Sequence, residues 1–73
     1  MSILPQVKPK LLLKALIKSG FAIQKQRGSH VDLKHPDGRR TSVPMHNKPV
    51  GKGLLHAILH QSHMTLEELK NLL

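Results

Sequence analysis

Cysteine, tryptophan and tyrosine are absent from this chain, and Phe21 is its only aromatic residue. The lack of cysteine excludes disulfides and thiolate metal sites. No apolar run approaches the roughly 20 residues that a membrane-spanning helix needs. The apolar stretch at 11–17 is interrupted by Lys14 and has no small-residue cleavage site after it, so we expect no signal peptide. These absences favour a cytoplasmic protein with a core of leucine, isoleucine and valine.

Acidic residues are also scarce. Four Asp and Glu face twelve Lys and Arg, which gives a formal net charge of +8 with neutral histidines. Such a balance favours nucleic acid, an anionic membrane or an acidic protein as partner. The basic residues are spread along the chain, which predicts a folded basic face. The length of 73 residues suits one domain and not two, so we treat residues 1–73 as a single domain.

Apolar residues recur at helical spacing near both ends of the chain and alternate in its middle. Turns are predicted at Gly28-Ser29 and at Pro36-Asp37-Gly38, and Pro44 is expected to stop the third strand because it lacks a backbone donor. After a lead-in at 1–7, the predicted elements are a helix from Pro9 to about Gly20, strands at 21–26, 30–34 and 39–43, a helix at 52–61 and a short capped helix at 66–73.

This order predicts an α+β fold of the form α-β-β-β-α with a short terminal helix. The simplest packing lays the two longer helices on one face of a three-stranded antiparallel sheet. Period-two geometry then places His30, Asp32 and Lys34 on the face opposite Val31 and Leu33.

The stretch Arg27-Gly28-Ser29-His30 places an imidazole beside cations. Histidine titrates near neutral pH and can move a proton, whereas a cationic surface binds phosphates. Together these features indicate chemistry on nucleic acid. Judged from residues alone, an ordinary surface histidine on a strand is the more common outcome.

Six short motifs follow one another between residues 8 and 55: Lys8-Pro9, Gly20-Phe21, Arg27-Gly28-Ser29-His30, His35-Pro36-Asp37-Gly38-Arg39, Val43-Pro44-Met45-His46 and Lys52-Gly53-Leu54-Leu55. In this order they resemble the HicA toxins, small messenger-RNA interferases of bacterial toxin–antitoxin pairs that are also described as YcfA-like proteins. The resemblance implies a fold like that of double-stranded-RNA-binding domains, His30 as the catalytic residue of an endoribonuclease, and a HicB-type antitoxin that covers the active surface. One departure is Val31-Asp32-Leu33, where many members carry an aromatic residue or a second histidine.

The working hypothesis is that His30 transfers a proton during metal-independent cleavage of messenger RNA. We expect neither a metal nor a small-molecule cofactor. Asp32 either orients the imidazole or simply faces solvent. His46 is either a second proton-transfer group or a structural hydrogen-bonding residue. The predicted phosphate-binding residues are Lys25, Arg27, Ser29, Lys34, Arg39, Arg40, Lys48 and Lys52.

Other arrangements remain open. His56, His60 and His63 have a spacing that can bind zinc, although a polar helix face is the more common reason for it. Lys10, Lys14 and Lys18 form a stripe that either meets a partner or is only solvated. The main functional alternative is an RNA-binding module of the same fold that does not cut. A DNA-binding domain is a further alternative, but no helix-turn-helix pattern favours it.

Overall fold

The computed structural model describes residues 6–73, so most of the predicted lead-in lies outside the described residues. The elements are α1 (Pro9–Lys18), β1 (Ala22–Arg27), β2 (His30–Lys34), β3 (Arg40–Pro44), α2 (Lys52–Gln61) and α3 (Leu66–Leu72). The strands form one antiparallel sheet in the order β1-β2-β3. This α-β-β-β-α-α order confirms the predicted α+β fold. The likeness to double-stranded-RNA-binding domains stays a prediction.

The helix ends follow the signals in the sequence. Pro9 begins α1, where its missing N–H has no partner to lose. Gly20 has a φ of +110°, and the N–H of Phe21 donates to the Leu16 carbonyl at 3.0 Å, which closes the helix as predicted. At the start of α3, the Thr65 hydroxyl accepts from the N–H of Glu68 while the Glu68 carboxylate accepts from the N–H of Thr65. Both caps are local, so the sequence reveals them.

Two strands, β1 and β3, each begin and end one residue later than predicted. Phe21 precedes β1 because its ring is buried in the core, 2% exposed, where it supports the turn that closes α1. Pro44 does not stop the ladder one residue early. It is the last residue of β3 and lies opposite His30. This is tolerated because β3 is an edge strand, and a missing donor on the outer edge removes no ladder bond.

One face of the sheet packs on the helices. Alternate residues of β2 and β3 are buried there, namely Val31, Leu33, Thr41 and Val43. They join one core with α1 and α2 residues such as Leu12, Leu16, Leu55 and Ile58. The helices lie on the β3 side of the sheet, and every residue of β1 is exposed. The fold therefore leaves the whole opposite sheet face uncovered.

No helix within residues 6–73 is long and apolar enough to cross a membrane.

Candidate nucleic-acid interface

His30 begins the central strand β2 at one end of the sheet, where three chain segments are tied together. Gly28 has a φ of +53°, which suits the first position of a two-residue hairpin turn, and this turn sets Arg27 directly opposite His30. On the other side, His30 lies opposite Pro44. The N–H of the next residue, Met45, donates to the carbonyl of Ser29. The backbone around the imidazole is therefore held on both sides.

The helix-free side of the sheet, which we call the open face, carries three rows of side chains across the strands. Residues in register share a face, and their Cβ atoms lie about 4.5–5.5 Å apart, while successive rows are separated by about 7 Å along a strand. The rows are Arg27–His30–Pro44, Lys25–Asp32–Ser42 and Ala22–Lys34–Arg40.

The open face thus carries one imidazole, one carboxylate and four cations, of which only Arg27 lies in the same row as His30. Lys25, Arg27 and Arg40 are exposed, and Lys34 is half-buried. Because the residues of neighbouring strands alternate in step, the sheet gathers charges that are up to 15 positions apart in sequence. This arrangement suits a strand of phosphates laid over the sheet.

The His30 side chain is exposed and has no hydrogen-bond or ion-pair partner among residues 6–73. Asp32 stands on the same face of the same strand but forms no ion pair with His30 or with a neighbouring cation in this part of the chain. The structure therefore shows Asp32 half-buried and facing the open side, and it shows no contact that would orient the imidazole. Both ring nitrogens of His30 are available to a ligand.

His46 follows two residues after Pro44 and is exposed. Its ring makes no hydrogen bond to the described part of the chain, so the structure offers no support for a structural role. A cleft of about 290 Å³ lies beside it, lined by Lys8, Pro9, Lys10, Met45, His46 and Asn47. Neither Lys8 nor Lys10 was expected at this place, because nothing local in the sequence brings the start of α1 to the loop after β3.

Lys48 and Lys52 are exposed but do not belong to the open face. Lys48 lies in the loop after His46, and Lys52 is the first residue of α2. Ser29, which was also predicted to bind phosphate, is exposed in the hairpin turn. Its carbonyl accepts a hydrogen bond from the N–H of Met45. Its hydroxyl makes no hydrogen bond within residues 6–73, and it is adjacent to His30.

Arg39 is engaged inside the protein and differs in this from its neighbour Arg40. Its Nε lies 2.8 Å from Asp37 Oδ2, a terminal nitrogen donates to the Ser62 carbonyl, and the guanidinium stacks over the Phe21 ring at 5.3 Å. The N–H of Arg39 also donates to Asp37 Oδ1 at 3.1 Å. We therefore leave Arg39 out of the candidate interface.

His35 completes this second cluster. Its Nδ1 lies 3.0 Å from Asp37 Oδ1, and its ring packs edge-on against Phe21 with centroids 5.2 Å apart. The backbone N–H of Arg39, followed by the charges of Arg39 and His35, holds the pKa of Asp37 below its ordinary value of 3.8. We call His35, Asp37 and Arg39 the locked corner. In the sequence, the only indication of this cluster is that its three residues are two positions apart in a predicted turn.

The three histidines around the end of α2 are all exposed, while Leu55, Ile58 and Leu59 form its buried side. His63 has a φ of +53° and follows the helix. Within residues 6–73 no three His, Cys, Asp or Glu side chains are grouped so that they would hold a metal ion. The histidines of α2 therefore fit a polar helix face.

A groove of about 720 Å³ lies between α2 and the β1 side of the sheet. Its lining includes Leu54 and Ala57 of α2 and the strand residues Lys25, Asp32 and Lys34, which also belong to the open face. No histidine is among its lining residues, so the end of the sheet that carries His30 remains the better site for proton transfer.

A comparison with protein families finds a match over residues 10–64 to the family described as the HicA toxin of bacterial toxin–antitoxin systems. A comparison with curated proteins finds no significant match.

Proposed function

Because the chain belongs to the HicA family of bacterial toxin–antitoxin systems, we propose that it is an endoribonuclease that cleaves messenger RNA, with His30 as its catalytic residue. One observation carries the proposal. The His30 imidazole is exposed on a cationic sheet face and has no hydrogen-bond or ion-pair partner among residues 6–73. Such a side chain is available for a substrate.

The proposed reaction needs few groups. The 2′-hydroxyl of one nucleotide attacks the adjacent phosphorus, and the bond from phosphorus to the 5′-oxygen of the next nucleotide breaks. The products are a 2′,3′-cyclic phosphate and a 5′-hydroxyl. Neutral His30 accepts the 2′-hydroxyl proton as general base, and water, which reaches this exposed end of the sheet, supplies the proton to the departing 5′-oxygen.

Arg27 is the proposed electrostatic partner of His30. It lies directly opposite His30 in the hairpin and can place its planar group of donors on the phosphate oxygens. Negative charge grows on these oxygens as the 2′-oxygen attacks, and a fixed cation stabilises that charge more than it stabilises the substrate. Lys25, Lys34 and Arg40 bind flanking phosphates in the rows behind.

The dependence on a 2′-hydroxyl tests this chemistry. After the cleavage site in an RNA oligonucleotide has been mapped, the same oligonucleotide is made with a single 2′-deoxy nucleotide at that site. With EDTA present, we expect rapid cleavage of the first and none of the second at that position. Equal cleavage of both, or activity only after addition of a divalent metal, would contradict the proposal.

A non-catalytic RNA-binding module is the second candidate. It is favoured by one observation: no second proton-transfer group touches His30 within residues 6–73. The two candidates differ in turnover. An enzyme converts RNA present at a hundredfold excess, whereas a binding module leaves the excess intact and only shifts its mobility.

We further propose that the antitoxin partner implied by the family is of the HicB type and covers the open face. The net charge of +8 and the uncovered cations favour an acidic surface on that partner. Hydrogen exchange at β2 and at the 28–29 turn should slow when the antitoxin binds, and RNA cleavage should stop at equimolar antitoxin. Protection confined to α3 would place the partner elsewhere.

A further inference from the structure

We propose that the cleft between the start of α1 and the loop after β3 is a second phosphate subsite, in which Lys8, Lys10 and His46 bind the RNA strand next to the nucleotide that is cut at His30. This inference rests on the proposed function and adds to it a path for the substrate. The RNA would run from the open face over the end of the sheet and into the cleft.

The composition of the cleft suits an anion. Two lysines, one histidine and one asparagine line it, together with Pro9 and Met45 as an apolar floor, and no carboxylate is among its lining residues. Lys8, Lys10, His46 and Asn47 are exposed, and their side chains make no hydrogen bond or ion pair within residues 6–73. Their charges are therefore not neutralised by the described part of the protein.

The cleft lies close to His30. Residues paired across antiparallel strands have Cα atoms about 4.5–5.5 Å apart, and two further residues extend the chain by at most about 7.6 Å. Since Pro44 is the partner of His30, the Cα atoms of His30 and His46 are separated by no more than about 13 Å. A strand of only a few nucleotides spans this distance.

Both walls of the cleft are held in place. On one side, the N–H of Met45 bonds to the Ser29 carbonyl beside His30. On the other side, the N–H of Val50 bonds to the Val7 carbonyl at 2.8 Å, and both valines are buried. The loop is thus joined at one end to the catalytic turn and at the other to the residue that precedes Lys8. A site fixed in this way needs little reordering to receive a ligand.

RNA fits the cleft better than an acidic protein segment does. The cleft includes His46, two residues after the partner of His30, and its volume of about 290 Å³ is too small for a docked helix or strand. Lysines supply charge for a phosphate, whereas the His46 ring and the Asn47 amide offer stacking and hydrogen bonds to an unpaired base.

The test compares two RNAs whose cut nucleotide carries a 2′-deoxy sugar, so that neither is cleaved. The short RNA consists of the two nucleotides that the scissile phosphate joins. The long RNA extends this unit by several nucleotides in each direction. Affinities are measured by fluorescence anisotropy for the wild type, for Lys8→Ala/Lys10→Ala and for Lys14→Ala/Lys70→Ala. The last variant removes the same charge from exposed lysines outside the cleft.

We expect Lys8→Ala/Lys10→Ala to bind the long RNA at least tenfold more weakly than the control variant, with a slope of log affinity against log salt smaller by about 1–2. Both variants should bind the short RNA alike. Equal affinities of the two variants for the long RNA would overturn the inference. So would a selective loss of antitoxin binding with unchanged RNA binding, because the cleft would then serve the protein partner.

His46→Gln tests the contribution of the histidine to the cleft. The inference predicts that this variant binds the uncleavable long RNA more weakly than the Lys14→Ala/Lys70→Ala control does. An affinity for the long RNA equal to that of the control, or a loss for the short RNA as large as that for the long one, would overturn the assignment of His46 to the cleft. Failure of the proposed function itself looks different, since the wild type would then cleave no RNA of either length.

Discussion

The two ends of β2 carry the same kinds of residue in opposite states. At its start, His30 shares the open face with Arg27 and Asp32, and none of the three forms an ion pair within residues 6–73. Just past its end, the locked corner joins a histidine, an aspartate and an arginine through contacts of 2.8–3.0 Å. The type of a residue therefore does not decide whether its side chain serves folding or ligand binding.

This difference separates the residues that stabilise the fold from those that are available to a ligand. In the locked corner each of the three side chains contacts a partner in the protein, and the cluster ties the β2–β3 turn to Phe21 and to the carbonyl after α2. On the open face the charged groups form no ion pair within residues 6–73. Groups without such partners can exchange solvent for a ligand.

The strongest test of this comparison replaces each of the two histidines, His30 and His35, in a separate variant. His30→Ala should lower the rate of RNA cleavage by about 10²–10⁴-fold, because a positioned proton-transfer group is lost, and should leave thermal stability nearly unchanged. His35→Ala should do the reverse: it removes the ring that contacts Phe21 and Asp37 and lowers the free energy of unfolding by about 1–2 kcal/mol, with cleavage retained. Cleavage rates and urea unfolding are measured for both variants. A stability loss for His30→Ala as large as that for His35→Ala would end the comparison.

Gly20→Ala tests the packing of the locked corner. An added Cβ would lie 2.6 Å from His35 Nε2, at a φ of +110° that alanine rarely adopts. We expect a loss of about 1–3 kcal/mol in the free energy of unfolding. Gly53→Ala is the matched control, since its Cβ would meet no atom within 4 Å and alanine favours a helix by about 1 kcal/mol over glycine. Denaturation midpoints that fall equally in both variants would refute this packing argument.

Two adjacent arginines sharpen the comparison further. Arg39→Ala should reduce the free energy of unfolding by about 1–2 kcal/mol, because the Asp37 carboxylate and the Ser62 carbonyl lose their donor. Arg40→Ala should stay within about 0.5 kcal/mol of the wild type but weaken RNA binding and reduce the salt dependence by about one ion. Calorimetry and anisotropy on the same two proteins check both statements. If Arg39→Ala weakened RNA binding and Arg40→Ala did not, the RNA would bind at the locked corner instead of the open face.

The smallest effect is the acid sensitivity of the locked corner. Because the folded-state pKa of Asp37 lies below its ordinary value of 3.8, its stabilising contribution is complete above that value and is lost as the pH falls through the lowered pKa. The stability advantage of the wild type over Asp37→Asn should therefore be constant near neutral pH and shrink below about pH 4. Urea midpoints from pH 6 to pH 3 measure it. An advantage that grows on acidification would have the wrong sign.

Local signals explain how much of the fold the sequence could predict. The alternation in β2, the glycine at position 28 and the capping box at Thr65 each act within a few residues, so the face that carries His30 was predictable. The register shift of β1 between Ile23 and Lys25 was not, because no glycine or proline marks it.

The unpredicted parts of the site depend on distant contacts. The bond from Arg39 to the Ser62 carbonyl joins residues 23 positions apart, and the Arg39 guanidinium also lies over the Phe21 ring. Arg40 forms no such contact within residues 6–73. In the same way, Lys8 and Lys10 meet His46 only because α1 packs beside β3. Composition indicates a basic face but does not show which basic side chains form contacts inside the protein.

Chemical rescue tests the central claim most directly. Cleavage of one RNA oligonucleotide is measured for His30→Ala with increasing imidazole in the buffer, after circular dichroism has shown that the variant is folded. Since His30 is exposed, we predict that the variant alone retains only the residual rate given above and that this rate rises with the concentration of imidazole. Cleavage by His30→Ala at the wild-type rate without imidazole would contradict the account.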